Sequence, residues 1–104
     1  MLIGKIVGTV VADQKDEKLI GTKLLVVRQL NLEAQETGAY VVAADSVGAG
    51  VGEVVLYASG SSARQTALTE GKPVDATIMA IVDTWDVQGV TKYTKDTPLA
   101  VADW

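Results

Sequence analysis

The chain has 104 residues, 48% of them hydrophobic, and a net charge of −4. There is room for one thin core, too apolar a composition for a disordered chain, and no basic surplus of the kind a nucleic-acid partner requires. It has neither Cys nor His, which excludes disulfides, thiolate zinc sites, cysteine nucleophiles and the usual general base.

Residues 2–12 alternate, with Leu2, Gly4, Ile6, Gly8, Val10 and Ala12 on one face, and read as a long first strand. Gly4 and Gly8 share that face, where a bend or a close backbone contact is expected. Residues 13–17 are charged and read as a solvated loop running on to a turn at Gly21. Residues 22–30 form the second strand, with Leu24, Val26, Arg28 and Leu30 on one face. Residues 31–39 are polar, contain Gly38 and read as a loop. Short strands follow at 40–44 and 53–58, separated by a glycine-rich loop over 45–52. Gly60-Ser61-Ser62-Ala63-Arg64-Gln65 opens a short helix with Ser61 or Ser62 as its N-cap. A near-continuous apolar stretch predicts a fifth strand over 76–86. Gln88-Gly89 then turns the chain into a short strand around 91–93, before a tail that carries Pro98, Leu99 and Trp104.

Five strands and one short helix in so few residues predict an all-β fold, a small OB-like five-stranded barrel closed on itself. In an OB barrel the helix follows the third strand; here it follows the fourth. The start, Met1-Leu2-Ile3-Gly4-Lys5-Ile6-Val7, lacks the pattern of a signal peptide, and no apolar run approaches the ~20 residues that cross a bilayer. A soluble, intracellular protein with no membrane partner is expected.

Two segments invite a chemical reading. Val47-Gly48-Ala49-Gly50-Val51-Gly52-Glu53 is rich in glycine, but it lacks the Gly-Lys-Ser/Thr ending of a phosphate loop and no long helix follows. A turn needing left-handed backbone, or a close approach to a neighbouring chain, accounts for it better. Gly60-Ser61-Ser62-Ala63-Arg64 places helix-start N–H groups beside an arginine, an anion site in principle. Ser61 and Ser62 have no base to activate them. Asp45, Asp75, Asp83 and Asp86 show no spacing that gathers them into a carboxylate pair or a magnesium site. No catalytic, cofactor or metal site is expected.

The chain resembles the EutN/CcmL family of bacterial microcompartment vertex proteins. The resemblance rests on Gly8-Thr9-Val10-Val11, Gln14-Lys15, Leu19-Ile20-Gly21-Thr22-Lys23-Leu24-Leu25-Val26-Val27, Val42-Ala43-Ala44-Asp45-Ser46-Val47-Gly48-Ala49-Gly50-Val51-Gly52-Glu53, Gly60-Ser61-Ser62-Ala63-Arg64-Gln65, Pro73-Val74-Asp75-Ala76 and Ile81-Val82-Asp83-Thr84, in that order. It covers the chain to about Trp85, and nothing is carried onto the tail.

The resemblance implies one domain over 1–104 that assembles as a cyclic homopentamer. It also implies a structural role, closing the vertices of a polyhedral microcompartment shell, carboxysome or metabolosome, tiled by hexameric shell proteins in the cytoplasm. Val47, Gly48, Ala49, Gly50, Gly52, Gly60, Ser61, Ser62 and Arg64 are then expected near the five-fold axis or the subunit interface, so that Gly50→Val weakens assembly far more than Glu36→Gln. The rival reading is an OB-like binding module holding a small anion or oligonucleotide at Ser61, Ser62 and Arg64.

Overall fold

The computed structural model describes residues 1–95; the tail carrying Leu99 and Trp104 lies outside them. Strands β1 (Leu2–Val10), β2 (Leu24–Leu30), β3 (Glu36–Asp45), β4 (Val54–Ser59) and β5 (Ala76–Ile81) close into a barrel in the order β1-β2-β3-β5-β4. All neighbours are antiparallel except β3 and β5, which run parallel and meet at only two positions, Ala44 opposite Thr77 and Asp45 opposite Ile78. The expected OB-like barrel is present. A separate two-stranded hairpin, β6 (Thr84–Val87) and β7 (Val90–Thr94), follows it.

The barrel core takes alternate residues from every strand. Ile6, Leu25, Val27, Ala43, Val55, Tyr57, Ala76 and Ile78 are all buried, with Leu2, Val41 and Ile81 packed against them. Each fully buried aliphatic side chain of this kind contributes roughly 1.5–3 kcal/mol. On β2, Leu25 and Val27 belong to the barrel core, while Leu30, on the face expected to carry Leu24, Val26 and Arg28, is buried in a second cluster. Residues 24–27 are all apolar, so the pattern there does not say which face points inward.

Gly4 shows why β1 needs glycine. A Cβ there would stand 2.4 Å from Val27 Cγ1, 2.8 Å from the Arg28 carbonyl and 3.0 Å from Tyr57 Cε1. The missing side chain is what lets the Tyr57 ring lie across β1 toward β2. Gly8 is different: a Cβ would meet Val26 at an ordinary 3.7 Å, and the strand instead changes register between Ile6 and Gly8.

Three expectations are corrected. Strand β3 begins at Glu36, four residues earlier than predicted. Gly38, at φ +90°, lies inside the strand, where register with β2 shifts and extra residues must be absorbed. Only residues 31–35 turn, with the Asn31 side chain accepting from the Glu33 and Gln35 N–H groups at 2.9 and 3.0 Å. The predicted fifth strand is two: β5 ends at Ile81, and β6 starts at Thr84 in the hairpin sheet. Val82 N–H still donates to Val54 O, while its side chain packs with Leu30, Ala34, Val54 and Tyr93. An apolar run carries no mark of such a change of sheet. The short helix after β4 is a five-residue 3-10 turn over Gly60–Arg64; its N-cap is Ser59, which makes no side-chain capping bond.

The hairpin covers a second cluster on the outside of the barrel. Leu30, Ala34, Val54 and Tyr93 are buried there, with Ile3, Val82 and Trp85 against them. Trp85 stacks on Tyr93 at 5.2 Å, and its indole N–H donates to Leu32 O at 2.9 Å. The turn is the one expected at Gln88-Gly89, both with positive φ.

Replacing Gly4 by Ala is expected to lower unfolding free energy by about 1–3 kcal/mol, whereas Gly8→Ala leaves it nearly unchanged; denaturant unfolding of the two variants checks this. Burial holds the Tyr57 phenol above the usual tyrosine range. The folded state therefore keeps that proton while the unfolded chain loses it. The stabilisation is complete below pH ~10 and is lost as pH rises through the raised folded value. Tyr57→Phe removes this loss, which urea titrations above pH ~10 will show as a flatter profile.

Candidate functional site

The glycine-rich loop, residues 46–53, is a folded plug across the barrel wall. It leaves β3 beside β5, where Ser46 Oγ donates to Ile78 O at 2.6 Å. It reaches β1 at the other end, where Gly52 N–H donates to Ile6 O at 2.8 Å and Ile6 N–H to Glu53 O at 2.9 Å. Between these anchors the chain must turn sharply, and Gly48 and Gly52 adopt φ of +75° and +96°. Side chains hold the rest. Asp45 Oδ1 accepts from Val47 N–H at 3.0 Å, and Glu53 Oε1 accepts from Gly50 N–H at 2.7 Å. Lys23 Nζ donates to Ala49 O at 2.6 Å and lies 3.4 Å from Asp45 Oδ2.

Ala49 is fully buried and belongs to the barrel core. Among the residues expected at an interface it is therefore the one whose side chain faces its own barrel. Val47 and Val51 face outward, Val51 with 61% of its surface exposed. Gly50 has no positive φ, and a side chain there would first meet Glu53 Oε1.

Gly60, Ser61, Ser62 and Arg64 lie at the opposite end of β4 from this loop. Gly60 has φ +66°, and its N–H donates to Asp75 O at 2.8 Å. Ala63 is the buried anchor of the turn, its carbonyl accepting from Thr77 Oγ1 at 2.6 Å. Ser61 and Ser62 are exposed. Five residues of 3-10 turn supply almost no aligned dipole, so the helix-start anion site envisaged at the two serines has no physical basis. The Arg64 guanidinium donates to Val74 O at 3.0 Å.

Sequence reasoning missed the cations around these segments, Lys23 at the loop and Lys72 at the turn, because lone lysines carry no spacing signal. It also missed the outward face of β3. Tyr40 and Val42 are 55% and 46% exposed there, beside Val26 and Arg28 of β2. Arg28 donates from Nε to the Tyr40 hydroxyl at 2.9 Å and pairs with Glu36 at 2.9 Å. Glu36→Gln consequently breaks an ion pair and is not a silent control for assembly. On β1, Lys5 stands opposite Arg28; burial first, then that like charge, lowers its pKa. Among the described residues no three acidic side chains gather in a way that could hold a metal ion.

The geometry is that of a closed OB-like barrel whose glycine-rich loop buries Ala49 and exposes Val47 and Val51. A fold alone does not define a role; comparison with known proteins supplies the class. Residues 1–83 match the family described as "Ethanolamine utilisation protein EutN/carboxysome". The carboxysome shell vertex protein CcmL of Gloeobacter violaceus is 44% identical over 95 residues, 91% of this chain and 95% of that protein. The microcompartment shell vertex protein GrpN of Rhodospirillum rubrum is 48% identical over 84 residues, 81% of this chain and 94% of that one. A solved structure of Gloeobacter violaceus CcmL has a TM-score of 0.89 at 43% identity, covering 93% of this chain and all of that chain. A structure of GrpN, described as a pentameric microcompartment shell protein, has a TM-score of 0.76 at 46% identity, covering 84% of this chain and all of that one. The chain belongs to the EutN/CcmL family.

Gly52→Ala forces a Cβ onto left-handed backbone at the Ile6 anchor. It is expected to cost about 1–3 kcal/mol, read as a lower midpoint in chemical unfolding. Ala49→Leu overfills the core and costs a similar amount.

Proposed function

We infer that the chain is a non-enzymatic structural protein whose homopentamers form the vertices of a bacterial microcompartment shell in the cytoplasm, with residues 1–104 serving a single vertex domain. The observation that carries this reading is the similarity of the whole barrel, at a TM-score of 0.89, to a solved carboxysome CcmL, with the pentameric GrpN similar over nearly as much of the chain.

Geometry says why a five-fold unit is needed. A sheet of six-fold tiles is flat and never closes; replacing a six-fold unit by a five-fold one at each corner introduces the curvature of a closed polyhedron. The partners are accordingly copies of itself and hexameric shell proteins, with no nucleic acid, membrane or cofactor involved. A head-to-tail contact repeated five times closes a ring without leaving an open surface.

The glycine-rich loop suits a ring contact. Val47 and Val51 project from a segment whose backbone is fixed at both ends by Ile78 and Ile6. Gly48, Gly50 and Gly52 keep that backbone bare, so a neighbour can approach closely. Gly60, Ser61, Ser62 and Arg64 form the second candidate surface, facing a neighbour or the axis. Ala49 serves the same loop from behind, by tying it to the core.

Native mass measurement tests the reading. The purified protein is expected at five times the 10.9 kDa chain mass. Val51→Asp puts a charge on an exposed apolar position and is expected to shift that mass toward the single chain while the far-UV spectrum of the barrel is unchanged. Asp13→Asn, exposed in the charged loop, leaves the ring intact. A wild-type protein that stays monomeric at high concentration rejects the vertex role and favours a binding module.

A further inference from the structure

We propose that Lys18, Arg64 and Lys72 form a binding site for a small oxyanion carrying two or more negative charges, of the phosphate class. The three cations line one open cleft of about 320 Å³, together with Gly71 and Pro73. No carboxylate is among the described lining residues, although the chain as a whole carries a net charge of −4. That volume is at the lower end of the ~300–1,000 Å³ typical of small-molecule sites.

Two of these cations are held by neutral groups. Elsewhere in the described structure, Lys23, Arg28, Lys92 and Lys95 each pair with a carboxylate: Asp45, Glu36, Glu33 and Glu53 respectively. In the cleft, Arg64 is oriented by the neutral Val74 carbonyl at 3.0 Å and Lys72 by the neutral Thr22 hydroxyl at 2.9 Å. Both are held in place, neither pairs with a carboxylate among the described residues, and the anchors come from different parts of the chain, fifty residues apart for Lys72 and Thr22. Lys18 completes the set from the 3-10 turn at Glu17–Leu19, which is itself pinned by Asp16 Oδ1 accepting from the Lys18 N–H at 2.9 Å. Three positive charges lining one open cleft, two of them oriented, attract a multivalent anion, and Arg64 adds a planar donor fork suited to an oxyanion. A monovalent ion gains too little from three partly solvated charges to be held against salt.

The site uses only one residue of the serine-arginine motif, and it draws on two lysines that no motif marks. The described lining residues all come from one chain; Arg64 is also a candidate ring residue, so affinities are compared between variants that keep the wild-type native mass, and the two tests fail independently.

Calorimetric titration of the assembled protein at low ionic strength tests the proposal, with inorganic phosphate, pyrophosphate and glycerol phosphate as probes and sodium chloride as the monovalent control. Saturable binding of the phosphate probes is expected, strongest for pyrophosphate if the ligand is a free inorganic ion and strongest for glycerol phosphate if it is a metabolite. Lys18→Gln, which removes an exposed side chain, should weaken binding roughly two- to fivefold, and Lys18→Gln with Arg64→Gln more than either alone. Lys92→Gln, on the remote hairpin, should leave affinity unchanged. Absence of saturable binding overturns the proposal. So does a double variant that binds like the wild type, or an equal loss in Lys92→Gln, which would mean attraction to overall charge.

Discussion

Closure of the barrel depends on the shortest seam in it. Strands β3 and β5 are parallel and share two positions, Ala44 with Thr77 and Asp45 with Ile78. Every other seam is an antiparallel ladder of at least four positions. One side chain lengthens the weak one, Ser46 Oγ reaching Ile78 O; on the other side of β3, Asp45 N–H bonds Lys23 O and Lys23 grips both Asp45 and the Ala49 carbonyl. Without this seam the barrel is an open curled sheet whose edges would be free to pair with other chains. The glycine-rich loop starts where the seam ends. The loop that continues the closing seam and the candidate ring surface are thus one segment.

That coupling links stability to assembly. Ala49 belongs to the core while Val47 and Val51, two residues to either side, face outward. Any shift of the core at Ala49 is transmitted over two residues to the candidate ring contact, because Ile78 and Ile6 pin both ends of the loop. A ring contact made by this segment would use a surface already pinned at both ends in the single chain, leaving little conformational entropy to be lost on association.

Much of this was legible in the residues. Alternation located β1, β2 and β4 to within about two residues, which is the usual accuracy for boundaries. Gly4 was identifiable as a site of close approach, although that its neighbours are Val27 and Tyr57 is a long-range fact no local pattern contains. The misread places have a shared cause. Gly38 looks like a loop residue because positive φ is usually a turn, yet here it serves a bulge inside β3. The run from Ala76 onward looks like one strand because both halves are apolar, one against the barrel interior and the other against Leu30, Val54 and Tyr93. Tertiary partners, not local preference, set those boundaries. At the candidate sites, the glycines were visible and the cations were not. Lys18 and Lys72 acquire meaning only once folding brings them beside Arg64.

The hairpin of β6 and β7 sits under different rules. Its strands pair with each other and belong to a sheet of their own. It is fastened to the barrel by the Trp85–Tyr93 stack, the bond from Trp85 to Leu32 O, and ion pairs of Lys92 with Glu33 and Lys95 with Glu53. Such a latch can open without breaking a rung of the closed barrel, so the hairpin is expected to open at a lower free energy than the barrel. Amide protons of the hairpin will exchange with solvent through this partial opening while those of β1 and β2 wait for global unfolding. In evolutionary terms the same separation leaves the hairpin free to lengthen, shorten or change its outward residues while the part that closes the barrel stays constant.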